Sequence, residues 1–142
     1  MKRSIFTIVL AFFTAGIYAT EPVADETVTV KAEESTVTWK AYKVTGSHTG
    51  TVALKSGSLV FDNSTLKGGE FVVDMTSIIC TDLEGEYKQK LEGHLKSDDF
   101  FSVTSHQTSK LVFKDVKATG KNSYEVTGDL TIKGITKPVT FD

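Results

Sequence analysis

Between Glu26 and Cys80, and again from Lys110 to the end, apolar and polar residues alternate with the period of two that a half-buried β-strand imposes. Thr27 to Ala32 and Thr36 to Tyr42 are the first predicted strands, parted by the polar step Glu33-Glu34-Ser35. In the second, Val37, Trp39 and Ala41 share one face, which sets the only tryptophan against a core or a cavity. Val44 to Gly50 reads as a glycine-bearing loop. Short strands follow over Thr51 to Leu54, Gly57 to Phe61 and Glu70 to Ile79, punctuated by Lys55-Ser56-Gly57, Asp62-Asn63-Ser64 and Gly68-Gly69. Asn63-Ser64-Thr65 fits a glycosylation acceptor, but the same residues make an ordinary turn, which is the reading adopted. A polar loop from Thr104 to Ser109 leads into strand character over Lys110 to Val116. The cleanest alternation is Tyr124 to Ile132, bracketed by turns at Gly120-Lys121-Asn122 and Lys133-Gly134, and Val139 to Phe141 opens a further strand.

One stretch breaks the period. From Thr81 to Phe101, Leu83, Tyr87, Leu91 and Leu95 fall four apart, along one stripe of a helix. Thr81 or Asp82 is the expected cap, Glu84 and Glu86 suit the positive end of the helix dipole, and Gly93 is the expected stop. Ser97-Asp98-Asp99 reads as a second cap before a short turn carrying Phe100 and Phe101. A single helix among about eight or nine sequential strands predicts a mainly β fold, an antiparallel meander curled into a barrel or sandwich, with the helix as a lid or plug.

Residues 1–19 stand apart. Lys2 and Arg3 precede an apolar run from Ile5 to Phe13, and Ile17-Tyr18-Ala19 offers a small residue for cleavage, the pattern of a secretory signal peptide. The run is shorter than the ~20 residues a bilayer-spanning helix needs, so no stable membrane anchor is expected. Residues 20–33 then form an extension with the first strand, and residues 34–142 the main domain. The formal charge is −2 over the whole chain and becomes more negative once Lys2 and Arg3 are removed. A mildly acidic exported domain is a poor match for nucleic acid. The single cysteine, Cys80, rules out an internal disulfide.

Candidate chemistry is sparse. His48, His94 and His106 occupy a predicted loop, a helix end and another loop, without the short spacing of a metal site, so no metal or other cofactor is expected. Cys80 with His94 lacks a nucleophile elbow or an oxyanion hole, and a lone cysteine at a strand end reads as a small buried hydrophobe. No catalytic residue is assigned. The remaining signal is apolar: Trp39, Phe61, Phe71, Phe100, Phe101, Phe113 and Phe141 in one domain. A filled core explains them, and so does a barrel too wide for its own side chains to fill; periodicity does not separate the two.

Five segments occur in the order found in YceI-like proteins, which the chain resembles over residues 34–142: TVTWKAYK around Trp39, SHTG (Ser47 to Gly50), FVVDMTSI (Phe71 to Ile78), GHLKSDDFF (Gly93 to Phe101) and GDLTIKGITKPV (Gly128 to Val139). The resemblance implies a lipocalin-like antiparallel β-barrel, exported to the bacterial periplasm or secreted, with a long apolar cavity for an isoprenoid or other amphiphilic lipid. Two departures stand out. The family usually has a tyrosine-proline pair where this chain has Ser105-His106-Gln107-Thr108, and family domains continue past the GDLTIKG segment, so the strands that close the barrel are expected to be missing here. The function expected is therefore non-enzymatic lipid binding, with a packed, ligand-free β-barrel and a lipid-modifying enzyme as rivals. Trp39, Phe71, Val73, Met75, Leu111, Phe113, Val126 and Leu130, each on the more apolar face of its strand, are the expected cavity lining. Lys40, Lys43 and Lys96 are candidates to meet an anionic head group.

Overall fold

A computed structural model describes residues 24–142; the predicted signal peptide lies outside them. Among the described residues there are seven strands and one α-helix: β1 (Glu26–Thr29), β2 (Val37–Lys43), β3 (Gly46–Asp62), β4 (Thr65–Cys80), α1 (Gly85–Lys96), β5 (Thr108–Gly120), β6 (Ser123–Ile132) and β7 (Ile135–Phe141). All pairings are antiparallel, in the order β1-β3-β4-β5-β6-β7, with β2 also on β3. This is the mainly β fold with one helix that the sequence predicts. The sheet does not close on itself: among the described residues β7 pairs only with β6. Lys137 and Pro138 on β7 suit an edge, a charge and a residue without an N–H to offer.

The strands are fewer and longer than predicted. Val44 to Gly50 is not a loop; the chain turns at Val44-Thr45 and β3 begins at Gly46, with Lys43 facing Gly46 in the ladder. Lys55-Ser56-Gly57 does not turn either. The register shifts there, between Leu54 and Ser56, so the residues that read as a break are a bulge within one 17-residue strand. A second irregularity lies across in β4, where Asp74 Oδ1 accepts from the Thr76 N–H at 2.9 Å and the Ser77 hydroxyl donates to the Asp74 carbonyl. The tight hairpin turns are as read: Asn63 and Ser64, and Lys133 and Gly134, all have positive φ.

The helix begins later and ends later than predicted. Glu84 is its N-cap, with no side-chain cap bond, and Gly85 at φ 58° makes the left-handed entry that glycine accepts without strain. Gly93 does not stop it; it continues to Lys96. Only part of the predicted stripe is used, since Leu95 is 5% exposed whereas Tyr87 is 76% exposed. Leu95, Val52, Met75, Ile78 and Val103 form the buried core, with Leu91 and Phe101 packed against it, so α1 covers one end of the sheet. Glu92 adds a polar tether, accepting the Cys80 N–H at 2.8 Å.

Candidate functional site

Cross-strand register puts the larger apolar side chains on one face. Phe71 faces Leu111, and Leu111 faces Leu130. The sheet curls far enough that β2 through β6 and the helix segment border one hollow of about 450 Å3. Trp39, Val37 and Ala41 come from β2; Val52 and Leu54 from β3; Phe71, Val73, Met75 and Ile78 from β4. Leu111 and Ser109 come from β5, Leu130 and Ile132 from β6, and Leu95, Phe100 and Phe101 from the helix and the turn after it. Lys40 and Lys110, both exposed, stand at its margin.

Six of the eight residues expected to line a cavity lie here: Trp39, Phe71, Val73, Met75, Leu111 and Leu130. Phe113 and Val126 do not. They border a second hollow of about 400 Å3 with Leu59, Leu66, Tyr124 and Phe141. The two hollows meet where Phe71 and Phe113 pack at 5.8 Å between ring centroids, and Phe141 lies 6.0 Å from Phe113.

Glycines shape this face by what they lack. A Cβ on Gly57 would come within 2.8 Å of the Phe71 ring, and one on Gly69 within 3.2 Å of Phe113. A Cβ on Gly128 would come within 3.0 Å of Leu111, and one on Gly50 would run into both the Trp39 ring and the Ile79 carbonyl. The large side chains therefore rest on bare backbone of the neighbouring strand. Trp39 is held further by its indole N–H, which donates to the Ile79 carbonyl at 3.1 Å.

Of the three lysines considered for a head group, only Lys40 borders the main hollow, and its ammonium lies 5.2 Å from the Tyr42 ring centroid, on the strand face opposite Trp39. Lys43 instead meets His48 Nε2 at 3.0 Å. Lys110, which the sequence did not single out, borders the hollow and pairs with Glu70 at 2.8 Å.

A polar cluster outside the hollow was also hidden in the sequence, because its members stand far apart in the chain. Asp82 accepts from the Thr49 N–H and from the Cys80 thiol, each at 3.0 Å, and its other oxygen lies 3.0 Å from His48 Nδ1. With Nε2 accepting from Lys43, Nδ1 carries the proton shared with Asp82. The Cys80 thiol, then the Thr49 N–H and His48, hold the Asp82 carboxyl well below the usual carboxylate range. Burial, and then the contact with Asp82, pushes the Cys80 thiol up. A fully buried thiol with a raised pKa, donating to a carboxylate, has the opposite electrostatics to an activated nucleophile. The cluster pins the β2–β3 hairpin to the start of the helix segment. His94 takes no part in it and packs edge-on against Phe100.

A curled antiparallel sheet with an apolar hollow, one end covered by a helix, defines a cavity-bearing β-protein. Comparison with known proteins narrows this: the chain belongs to the YceI-like family, whose domain model matches residues 28–142. A UPF0312 protein of Pseudomonas putida (strain W619) is 31% identical over 134 residues, covering 93% of this chain and 68% of that protein. A UPF0312 protein of Vibrio parahaemolyticus is 30% identical over 152 residues, covering 73% of its own length. The crystal structure of Burkholderia cenocepacia BcnA shares the fold at a TM-score of 0.60 and 23% identity, over 78% of this chain and 67% of that one. This chain thus spans about two thirds of the length of such relatives.

Proposed function

We propose that the protein binds a long apolar chain, an isoprenoid or another amphiphilic lipid, in the main hollow, and that it does so as a carrier without catalysing a reaction. The observation that carries this reading is the hollow itself. At about 450 Å3 it falls within the range of small-molecule sites and is bordered by Trp39, Phe71, Met75, Leu111 and other carbon surfaces. An apolar chain leaving water gains ~25 cal/mol per Å2 of surface buried, so affinity needs little beyond a dry hollow of the right shape. A packed barrel has no use for such a volume, whose upkeep forgoes dispersion contacts that a filled core would make. The N-terminal pattern of residues 1–19 supports export to the periplasm or the outside of the cell.

Organic extraction of protein purified from its native periplasm, followed by mass spectrometry, tests the reading directly. A co-purifying lipid and a shift of Trp39 emission on adding a fluorescent isoprenoid are the expected results. Absence of both overturns it.

A further inference from the structure

Ser109 is the exception in the lining. It is 5% exposed, and its hydroxyl oxygen is shielded from solvent with no hydrogen-bond partner among the described residues. Buried hydroxyls are nearly always partnered, so one that is not requires an account. Its place in the sheet supplies one. Ser109 faces Val73 in the β4–β5 ladder and shares a strand face with Leu111, both of which border the main hollow, as does Ser109 itself. The next residue is turned the other way: Lys110 is engaged with Glu70. Ser109 is therefore a buried polar group in an apolar wall of the hollow, whereas Lys40 and Lys110, which also border it, are exposed. A serine hydroxyl both donates and accepts, and its oxygen has three staggered positions about the Cα–Cβ bond, so it is not confined to the shielded one.

The geometry points to Ser109 as a specificity-determining residue: it favours an occupant that carries a hydrogen-bonding oxygen, a carbonyl or a hydroxyl, part-way along a hydrocarbon chain and inside the hollow. This rests on the lipid-binding reading above. An occupant with oxygen only at its head leaves the serine unpartnered; one with an oxygen within the chain satisfies it.

The test is competition against a bound fluorescent isoprenoid, using a long-chain ketone with a mid-chain carbonyl and the alkane of equal length. The wild-type protein, Ser109→Ala and Ser109→Thr are compared. The ratio of ketone to alkane affinity is expected to be about fivefold larger in the wild type than in Ser109→Ala, the contribution of one ordinary hydrogen bond, with Ser109→Thr recovering most of it. Equal ratios in wild type and Ser109→Ala overturn the assignment, including the case in which a water satisfies the hydroxyl. If the fluorescent isoprenoid does not bind at all, the lipid-binding reading fails and this one with it; if it binds and the ratios are equal, only Ser109 loses its role.

Discussion

Docking of α1 onto the sheet rests on Leu95, and Leu95→Ala tests that. The side chain is 5% exposed and packs with Val52, Met75, Ile78 and Val103. Truncation removes three carbons from contact, a transfer loss of about 2.4 kcal/mol at ~0.8 kcal/mol per methylene. A cavity term normally adds to this, and Leu→Ala changes in closed cores reach about 5 kcal/mol. Here the addition is small, because Leu95 already borders the main hollow and its removal enlarges a space that exists. The expected loss is therefore about 2.5 kcal/mol, near the low end of that range. Alanine is at least as good a helix former as leucine, so the loss reports packing and not propensity. With a urea slope of about 1.5 kcal/mol per M, the unfolding midpoint falls by roughly 1.7 M. Tyr87→Ala, on the same helix but 76% exposed, serves as the control and is expected to move stability by no more than about 0.5 kcal/mol. Equal effects from the two substitutions, or a loss below about 0.5 kcal/mol for Leu95→Ala, refute the packing argument.

Two further predictions concern the polar cluster. Asp82, whose carboxyl is held below its ordinary value of 3.8 first by the Cys80 thiol and then by Thr49, contributes stability that is present above that value and is lost as the pH falls below it. Thermal melts across the acid range are expected to show a shallower pH dependence in Asp82→Asn than in the wild type, and parallel curves refute the linkage. Cys80, fully buried with its thiol pushed up, is expected to react with an aromatic disulfide reagent only as fast as the protein unfolds. Labelling of the native protein at the rate of the denatured one contradicts the burial.

The β period and the helical interruption were legible because they depend only on which face each residue presents. Element ends were less so. Lys55-Ser56-Gly57 has the composition of a turn, yet a bulge uses the same residues without reversing the chain. Gly50 looked like loop flexibility, whereas its role is to leave room for Trp39 from the neighbouring strand, a constraint from a partner 11 positions away. Gly93 costs a helix something but does not end it when Leu95 beyond it is anchored in the core. In the site, strand-face alternation located Trp39, Phe71 and Leu111, but it gave no means of dividing one apolar face into two hollows, as happens between Phe71 and Phe113. Ser109 read as the end of a polar loop, since nothing in a local window marks a serine as buried. The contacts of Asp82 with His48 and Thr49 span more than 30 residues, beyond any local pattern.

The seating of Trp39 also guards against misfolding. β2 lies along the side of β3, and an outer strand is free to slide along its neighbour unless something fixes it. The indole crosses above Gly50 and reaches the Ile79 carbonyl, so it locks β2 to β4 over the strand between them. A slip of one residue turns the ring to the opposite face and breaks that bond. A slip of two keeps the face but brings the ring above His48 or Val52, whose Cβ atoms occupy the space that glycine leaves open. Neither wrong alignment retains the bond, so this one side chain checks the alignment of the first hairpin.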